Sequence, residues 1–188
     1  MRRTKEEALK TRETVLKAAA QIILRLGGSA FTLEAVAQQA GITKGGVLHH
    51  FPSKEALIDG LIDQAIEAFN GRLTAELAAE PEERPGRWLR AYIRTVFLFP
   101  YEGGSLIPAL AAAVSAEHTL ERIREGFRMS QQMAIHDGLD PILAIIIRTA
   151  VDGVVFARAL SLDVLDKDVS QTMYEELLRL TEQARSTP

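Results

Sequence analysis

Residues 32–57 read TLEAVAQQAGITKGGVLHHFPSKEAL, and this stretch decides how the rest of the chain is parsed. Thr32 precedes a helical pattern in which Leu33, Val36, Ala37 and Ala40 share one face, so its hydroxyl is placed as an N-cap. Gly41 supplies the stop, because a sharp turn between two packed helices needs a residue that tolerates positive φ. Thr43 caps a second short helix, which Pro52 ends by pushing the residue before it out of the helical region. Ser53 then caps a long helix with an apolar stripe at Leu57, Leu61, Ile62, Ala65, Ile66 and Phe69. Two short capped helices joined by AGIT, with Ile42 plugging the crossing, match a helix-turn-helix, a unit that lays its second helix in the major groove of DNA.

On that placement Gly45 and Gly46 fall in the first turn of the second helix, where a missing Cβ lets backbone N–H groups approach phosphate or base edges. Thr43, Lys44 and His49 give polar reach around them, and Lys54 can neutralise a phosphate beside the same groove. His49 and His50 make no metal site, since adjacent helical residues diverge by about 100° while a helical two-histidine ligand pair uses i, i+4. Phe51 reads as a core plug rather than a stacking platform. Spacing alone leaves DNA binding open, because short capped helices around a glycine turn also occur in helical proteins that bind nothing.

Outward from this unit the pattern stays helical. Upstream, Leu16, Ala19, Ala20, Ile23 and Leu26 recur at helical spacing and Gly27-Gly28 closes the segment. Downstream, EPEERPG at 80–86 is the most linker-like stretch, and five further helices are expected at roughly 86–99, 104–116, 118–136, 141–162 and 168–185. Asp140-Pro141 is a cap followed by proline at the first helical position, and Asp163–Asp168 is a polar break. No sustained alternation argues for a strand. The expected fold is all-α with about nine helices: a three-helix domain with a helix-turn-helix over 1–53, then a larger helical domain over 54–188.

Composition narrows the functions. A chain 47% hydrophobic and 25% charged folds as an ordinary globular protein. The absence of cysteine excludes a disulfide framework, thiolate metal sites and a cysteine nucleophile. The start, MRRTKEEALKTRE, lacks an apolar segment behind its basic residues, and no apolar run reaches the roughly 18 residues of a membrane span, so a cytoplasmic protein is expected. Net charge is −3, yet residues 1–54 carry nine Lys/Arg against four Asp/Glu, leaving the remainder strongly acidic. A basic first third on an acidic body suits a first third that meets a polyanion. An enzyme is not expected: the histidines at 49, 50, 118 and 136 lack ligand spacing, EGGS at 102–105 is no nucleophile elbow, and no glycine-rich phosphate loop follows a strand. Hence no catalytic residue, metal or cofactor is expected. A ligand-sequestering or protein-interaction module with a vestigial helix-turn-helix is the alternative.

The run from Thr11 to Ile58 resembles the amino-terminal DNA-binding domain of the TetR family of bacterial transcriptional regulators. It covers about a quarter of the chain; the rest matches in plan only, as a helical effector-binding and dimerisation domain. The resemblance implies phosphate and base contacts at Thr32, Thr43, Lys44, Gly45, Gly46, Leu48, His49, His50 and Lys54. Two positions depart from the family pattern. Position 46 commonly holds Ser or Thr and position 48 commonly holds Tyr, so readout shifts toward His49, Lys44 and DNA shape. The resemblance also implies a homodimer on a palindromic double-stranded operator, formed through the last two helices. Ile142, Ile145, Ile146, Thr149, Ala150, Gly153, Val154 and Ala157 offer one apolar seam, and Leu177, Leu178 and Leu180 another. A small, largely apolar effector is implied, in a pocket with candidates Phe69, Trp88, Tyr92, Phe97, Phe127, Met133, Arg148, Asp152 and Phe156; Tyr101, Met129, Asn70 and His136 lie in the same span. Arg148 and Asp152 are i, i+4 and also read as a plain intrahelical ion pair. Most relatives repress, so a repressor is expected.

Overall fold

The computed structural model of the chain describes residues 5–26, 30–98, 117–159, 162 and 165–182. Every regular element among them is helical: α1 (Lys5–Leu26), α2 (Leu33–Ala40), α3 (Lys44–His50), α4 (Lys54–Ala79), α5 (Arg87–Phe97), α6 (Glu117–Ile135), α7 (Pro141–Ala159) and α8 (Lys167–Leu180). The all-α class is met with eight helices among the described residues. The helix expected over 104–116 lies outside them, as do Gly27-Gly28 and Tyr101. The last helix stops at Leu180 rather than running to 185, where Thr181 turns its hydroxyl onto Leu178 O at 2.6 Å. No described helix is long and apolar enough to cross a membrane.

The described residues form two compact units, one of residues 5–26, 30–67 and 117–119 and one of residues 68–98, 120–159, 162 and 165–182. In the first, Val15, Leu16, Ala19 and Ile22 of α1, Phe31, Val36 of α2, Val47 of α3, Phe51, and Leu57, Leu61 and Ile62 of α4 make the core. Each large member contributes on the order of 1.5–3 kcal/mol by leaving water. Gly60 lets α4 come close: a Cβ there would lie 2.6 Å from Phe51 Cε1 and 3.2 Å from Leu16 Cδ2. Compactness therefore carries this unit through the first half of α4.

In the second unit α5 is buried nearly all round, through Trp88, Leu89, Ala91, Tyr92, Ile93, Thr95 and Val96, as befits a central helix. Ala144, Ile147, Val151 and Val154 of α7 and Leu177 of α8 complete its core. The segment expected to be a linker, 80–86, is instead a locked corner. Glu80 is buried; it accepts from Arg90 Nε at 2.7 Å and also from Arg94. Arg90 Nη1 donates to Pro85 O at 2.7 Å, and Arg87 Nη2 to Leu77 O at 2.7 Å. Composition suggested a solvated loop because the charges of EPEERPG look independent in sequence; folding pairs Glu80 with arginines one helix later. Gly86 holds φ +77, and a Cβ there would meet Thr181 O at 2.9 Å, so only glycine fits the corner.

Helix α5 has no side-chain cap from its own neighbours. Asp137 supplies it, its carboxylate accepting from Trp88 N and Leu89 N, both at 2.8 Å, while Gly86 N donates to Asp137 O at 2.7 Å. Burial raises the Asp137 carboxyl above the usual range against the pull of those two backbone donors.

Candidate nucleic-acid interface and effector cluster

The reading head is built by caps. The Thr32 hydroxyl accepts from Ala35 N at 3.1 Å and opens α2; Gly41, at φ +68, closes it, donating to Gln38 O at 3.2 Å, while Ile42 N donates to Ala37 O at 3.0 Å. The Thr43 hydroxyl accepts from Gly46 N at 3.0 Å and opens α3, and Ser53 accepts from Ala56 N at 3.1 Å at the start of α4. Caps of this kind are each worth about 1 kcal/mol and set where a helix begins. Of α3 only Val47 is buried, so the helix is anchored by one face.

Thr32, Thr43, Lys44, Gly45, Leu48, His49 and Lys54 are exposed, and Gly46 and His50 are half-buried. The His49 and His50 rings meet edge to face at 5.2 Å, and Phe51 is a buried plug. Lys54 Nζ sits 5.3 Å from the Phe31 ring centroid, a cation–π contact that orients it while leaving it exposed. At Gly45 an added Cβ would find only Thr43 Oγ1, at 3.9 Å; at Gly46 the nearest atoms, Ile42 Cδ1 and Thr43 Oγ1, are 3.4 Å away. Neither glycine is demanded by the chain's own packing, in contrast to Gly60, and neither has the positive φ of Gly41. Lys44 is ion-paired with Glu34 of α2, a partner the sequence reading missed because nothing in a ten-residue separation across a turn marks the pair.

Seven of the nine effector candidates come together in the second unit. Trp88 stacks on Tyr92 with centroids 4.9 Å apart, and Phe69 meets Tyr92 edge-on at 5.9 Å. The Tyr92 hydroxyl donates to Asp152 Oδ1. Asp152 Oδ2 pairs with Arg148 Nη2 at 3.0 Å, and both side chains are about nine-tenths buried. Arg148 Nη1 donates to Gln131 Oε1 at 2.6 Å, and its guanidinium lies 5.2 Å from the Phe127 ring, which stacks on Phe156 at 5.7 Å. Burial raises the Asp152 carboxyl above its usual range, opposed by the Tyr92 hydrogen bond and the Arg148 charge. Arg148 Nε is buried with no hydrogen-bond partner. The intrahelical i, i+4 pair is present, and it is one link of a buried network.

Two candidates stand apart. Phe97 faces Tyr174 at 5.7 Å beside Arg158, in an open cleft of about 400 Å³ that Lys167 and Ser170 also line. Met133 is exposed, as are Met129 and Asn70. His136 is exposed too, with Nδ1 2.8 Å from Gln132 O of its own helix. Among the described residues no cluster of three or more His, Asp or Glu could hold a metal ion.

Helix α7 presents an unpartnered apolar seam: Ile142 (64% exposed), Ile146 (57%), Thr149, Gly153 and Phe156 lie outward at alternating spacings of four and three. Val154 and Leu177, read from sequence as seam residues, are buried in the chain's own core, and Ile145, Ala150, Ala157, Leu178 and Leu180 are half-buried. The available seam is therefore narrower than periodicity suggested.

Residues 15–70 match the family described as bacterial regulatory proteins, tetR family, and residues 86–182 match the tetracyclin repressor-like C-terminal domain. The HTH-type transcriptional regulator TtgR of Pseudomonas putida is 34% identical over 97 residues, which is 52% of this chain and 46% of that protein. The chain thus spans about half the length of the curated relatives it matches. The crystal structure of NalD, the secondary repressor of the MexAB-OprM multidrug efflux pump in Pseudomonas aeruginosa, is 22% identical with a TM-score of 0.63, covering 97% of this chain and all of that one. The multidrug binding protein EbrR, solved with malachite green, is 20% identical with a TM-score of 0.65, covering 90% of this chain and 96% of that one. At these identities the two solved structures establish the shared fold.

Proposed function

Because the chain belongs to the TetR family of bacterial regulatory proteins, we propose that it is a DNA-binding transcriptional repressor released from its operator by a small, largely apolar effector. The observation that carries this reading is the bare tip of α3. Gly45 and Gly46 lie in the first turn of an exposed short helix, and no atom of the chain itself requires them to lack side chains. The bare tip leaves room for an approaching surface to come close to the backbone, and the basic first third suits a polyanion. The DNA-facing set is Thr32, Thr43, Lys44, Gly45, Gly46, Leu48, His49, His50 and Lys54, with 1–53 as the reading domain and 54–188 as the effector and dimerisation domain.

One short helix reads few base pairs, so the active form is a homodimer on a palindromic duplex in the cytoplasm. The α7 seam of Ile142, Ile146, Thr149, Gly153 and Phe156 supports it, since the small residues Thr149 and Gly153 between Ile146 and Phe156 permit close helix approach. Selection of bound duplexes from a random pool is the test. A recovered palindrome is expected, and a pool with no enrichment would overturn the reading. Lys54→Ala should then weaken all duplexes about equally and make the salt slope shallower by about one, whereas His49→Ala should change which duplexes win, by about 1–3 kcal/mol at the position it reads.

The effector site is the cluster of Phe69, Trp88, Tyr92, Phe127, Arg148, Asp152 and Phe156. Its aromatic side chains suit an apolar ligand, and SmeT, a relative in fold, was solved with triclosan, a molecule of that kind. The orphaned Arg148 Nε supports a ligand with a hydrogen-bond acceptor, because a buried unpaired donor costs about 1–3 kcal/mol that an acceptor would recover. Arg148 and Asp152 offset each other's charge, which favours a neutral ligand. Trp88 is the single tryptophan of the chain and reports directly on the cluster. Titration with triclosan, a neutral apolar molecule with oxygen acceptors, is expected to change Trp88 emission and lower operator affinity together. Unchanged emission with unchanged affinity would remove the effector from this cluster. Release would run through α4, one continuous helix that begins beside the reading head and carries Phe69. The ligand favours the state whose heads no longer fit adjacent grooves.

A sequestering or protein-interaction module is the second reading, and exposed Leu48 is the observation that favours it, an apolar side chain on the face where the family commonly has a hydroxyl. Salt dependence separates the two. A DNA reader shows a steep slope and competition by its own operator, and a sequestering module shows neither.

A further inference from the structure

The geometry points to Glu34 as a specificity-determining residue of the reading head, one that holds Lys44 back until a matching duplex offers a better acceptor; this rests on the DNA-binding reading above. Helix α3, KGGVLHH, carries one permanently charged side chain, Lys44, and no acid in its first turn. That charge is engaged by Glu34, in the first turn of α2. Both side chains are more than half exposed, so the pair lies on the reading surface rather than in the core. The hydrogen bond from Lys44, then one from Glu34's own backbone N–H, holds the Glu34 carboxyl below the usual carboxylate range, and it is an anion at neutral pH.

Folding supplies only a small reason for this anion. Helix α2 is already capped by Thr32, and an exposed acid in its first turn adds only a weak favourable interaction with the helix dipole. A carboxylate on a face that meets phosphates weakens every encounter, since it repels the duplex and neutralises the one full cation of α3. The consequence differs between duplexes. Where a guanine edge lies within reach in the right register, Lys44 exchanges Glu34 for it; a phosphate, present on every duplex, would not discriminate. Elsewhere the pair stays closed and Glu34 remains a repulsive element. Discrimination by a built-in repulsion lowers binding to wrong partners more than to the right one.

The test uses the full-length protein, the duplex recovered by selection, and a scrambled duplex of the same length and composition, each titrated over a range of salt. In Glu34→Gln the affinity for the scrambled duplex is expected to rise about three- to tenfold, with a salt slope steeper by about one, while affinity for the selected duplex rises less. The ratio between them therefore falls. In a Lys44→Ala background the same change should raise both duplexes equally and leave the ratio alone, because the exchange needs the lysine. The thermal midpoint should fall only slightly, by no more than the small contribution of an exposed pair and a first-turn acid. If the wild type prefers its selected duplex and Glu34→Gln leaves the ratio unchanged, this inference fails alone. If the wild type prefers no duplex, the DNA-binding reading fails and takes the inference with it.

Discussion

Replacing Ile146 with glutamate is expected to leave the protomer helical, split the proposed dimer, and lower operator affinity by at least about 100-fold, the scale on which two linked reading heads exceed one. Ile146 is 57% exposed, so the chain's own core does not need it. In a two-fold dimer the same residue comes from both copies, and a carboxylate at the seam brings two like charges together as they leave water. That costs several kcal/mol with no cation nearby on the seam to offset it. Light scattering should report a protomer mass, circular dichroism an unchanged helix content, and titration with the selected duplex the loss of affinity. A dimer that survives Ile146→Glu would move the interface away from the α7 seam.

Glu80→Ala is expected to destabilise the second unit by about 3–5 kcal/mol, because it takes the bonded carboxylate from a buried cation. The Arg90 side chain is 2% exposed and the Glu80 side chain 4%, so neither charge has water to fall back on. Arg90 retains Pro85 O as an acceptor and the charge of Asp137 without a hydrogen bond to it, but loses the carboxylate that accepts from its Nε. Burial by itself raises the Glu80 carboxyl, but hydrogen bonds and charge from Arg90 and Arg94 outweigh it, and the net direction is downward. With the native value below the unfolded one, the stabilisation is complete above the ordinary carboxylate range and drains away as pH falls from that range through the depressed native value. Urea midpoints against pH should show wild-type stability decreasing on acidification, with a flatter profile in Glu80→Ala. A variant within about 1 kcal/mol of wild type would mean that the corner is held by Arg87 and Gly86 without the ion pair.

The helix-turn-helix was legible residue by residue. Thr32, Gly41, Thr43 and Ser53 act on backbone groups within three or four positions of themselves, so the sequence carries both partners of each bond side by side. The effector cluster was legible only as a set of residue types. Phe69, Trp88, Tyr92, Arg148 and Asp152 converge, while Phe97 and Met133 do not, and helical periodicity cannot say which faces of separate helices meet. The seam failed in the same way, for Val154 and Ile146 are equally apolar in sequence, and only packing turned one inward and left the other bare.

Local chemistry was therefore enough for the helix class, the caps, the turn at Gly41 and the bare tip at Gly45-Gly46. Folding in three dimensions had to decide that Asp137 caps α5 from 48 and 49 residues away, that Glu80 makes a locked corner of an apparent linker, and that Lys44 meets Glu34 across the turn. A cap reaches one turn along its own helix, and a short pattern records it. A bond between distant segments depends on which surfaces exclude water together, and that is a property of the whole packed chain.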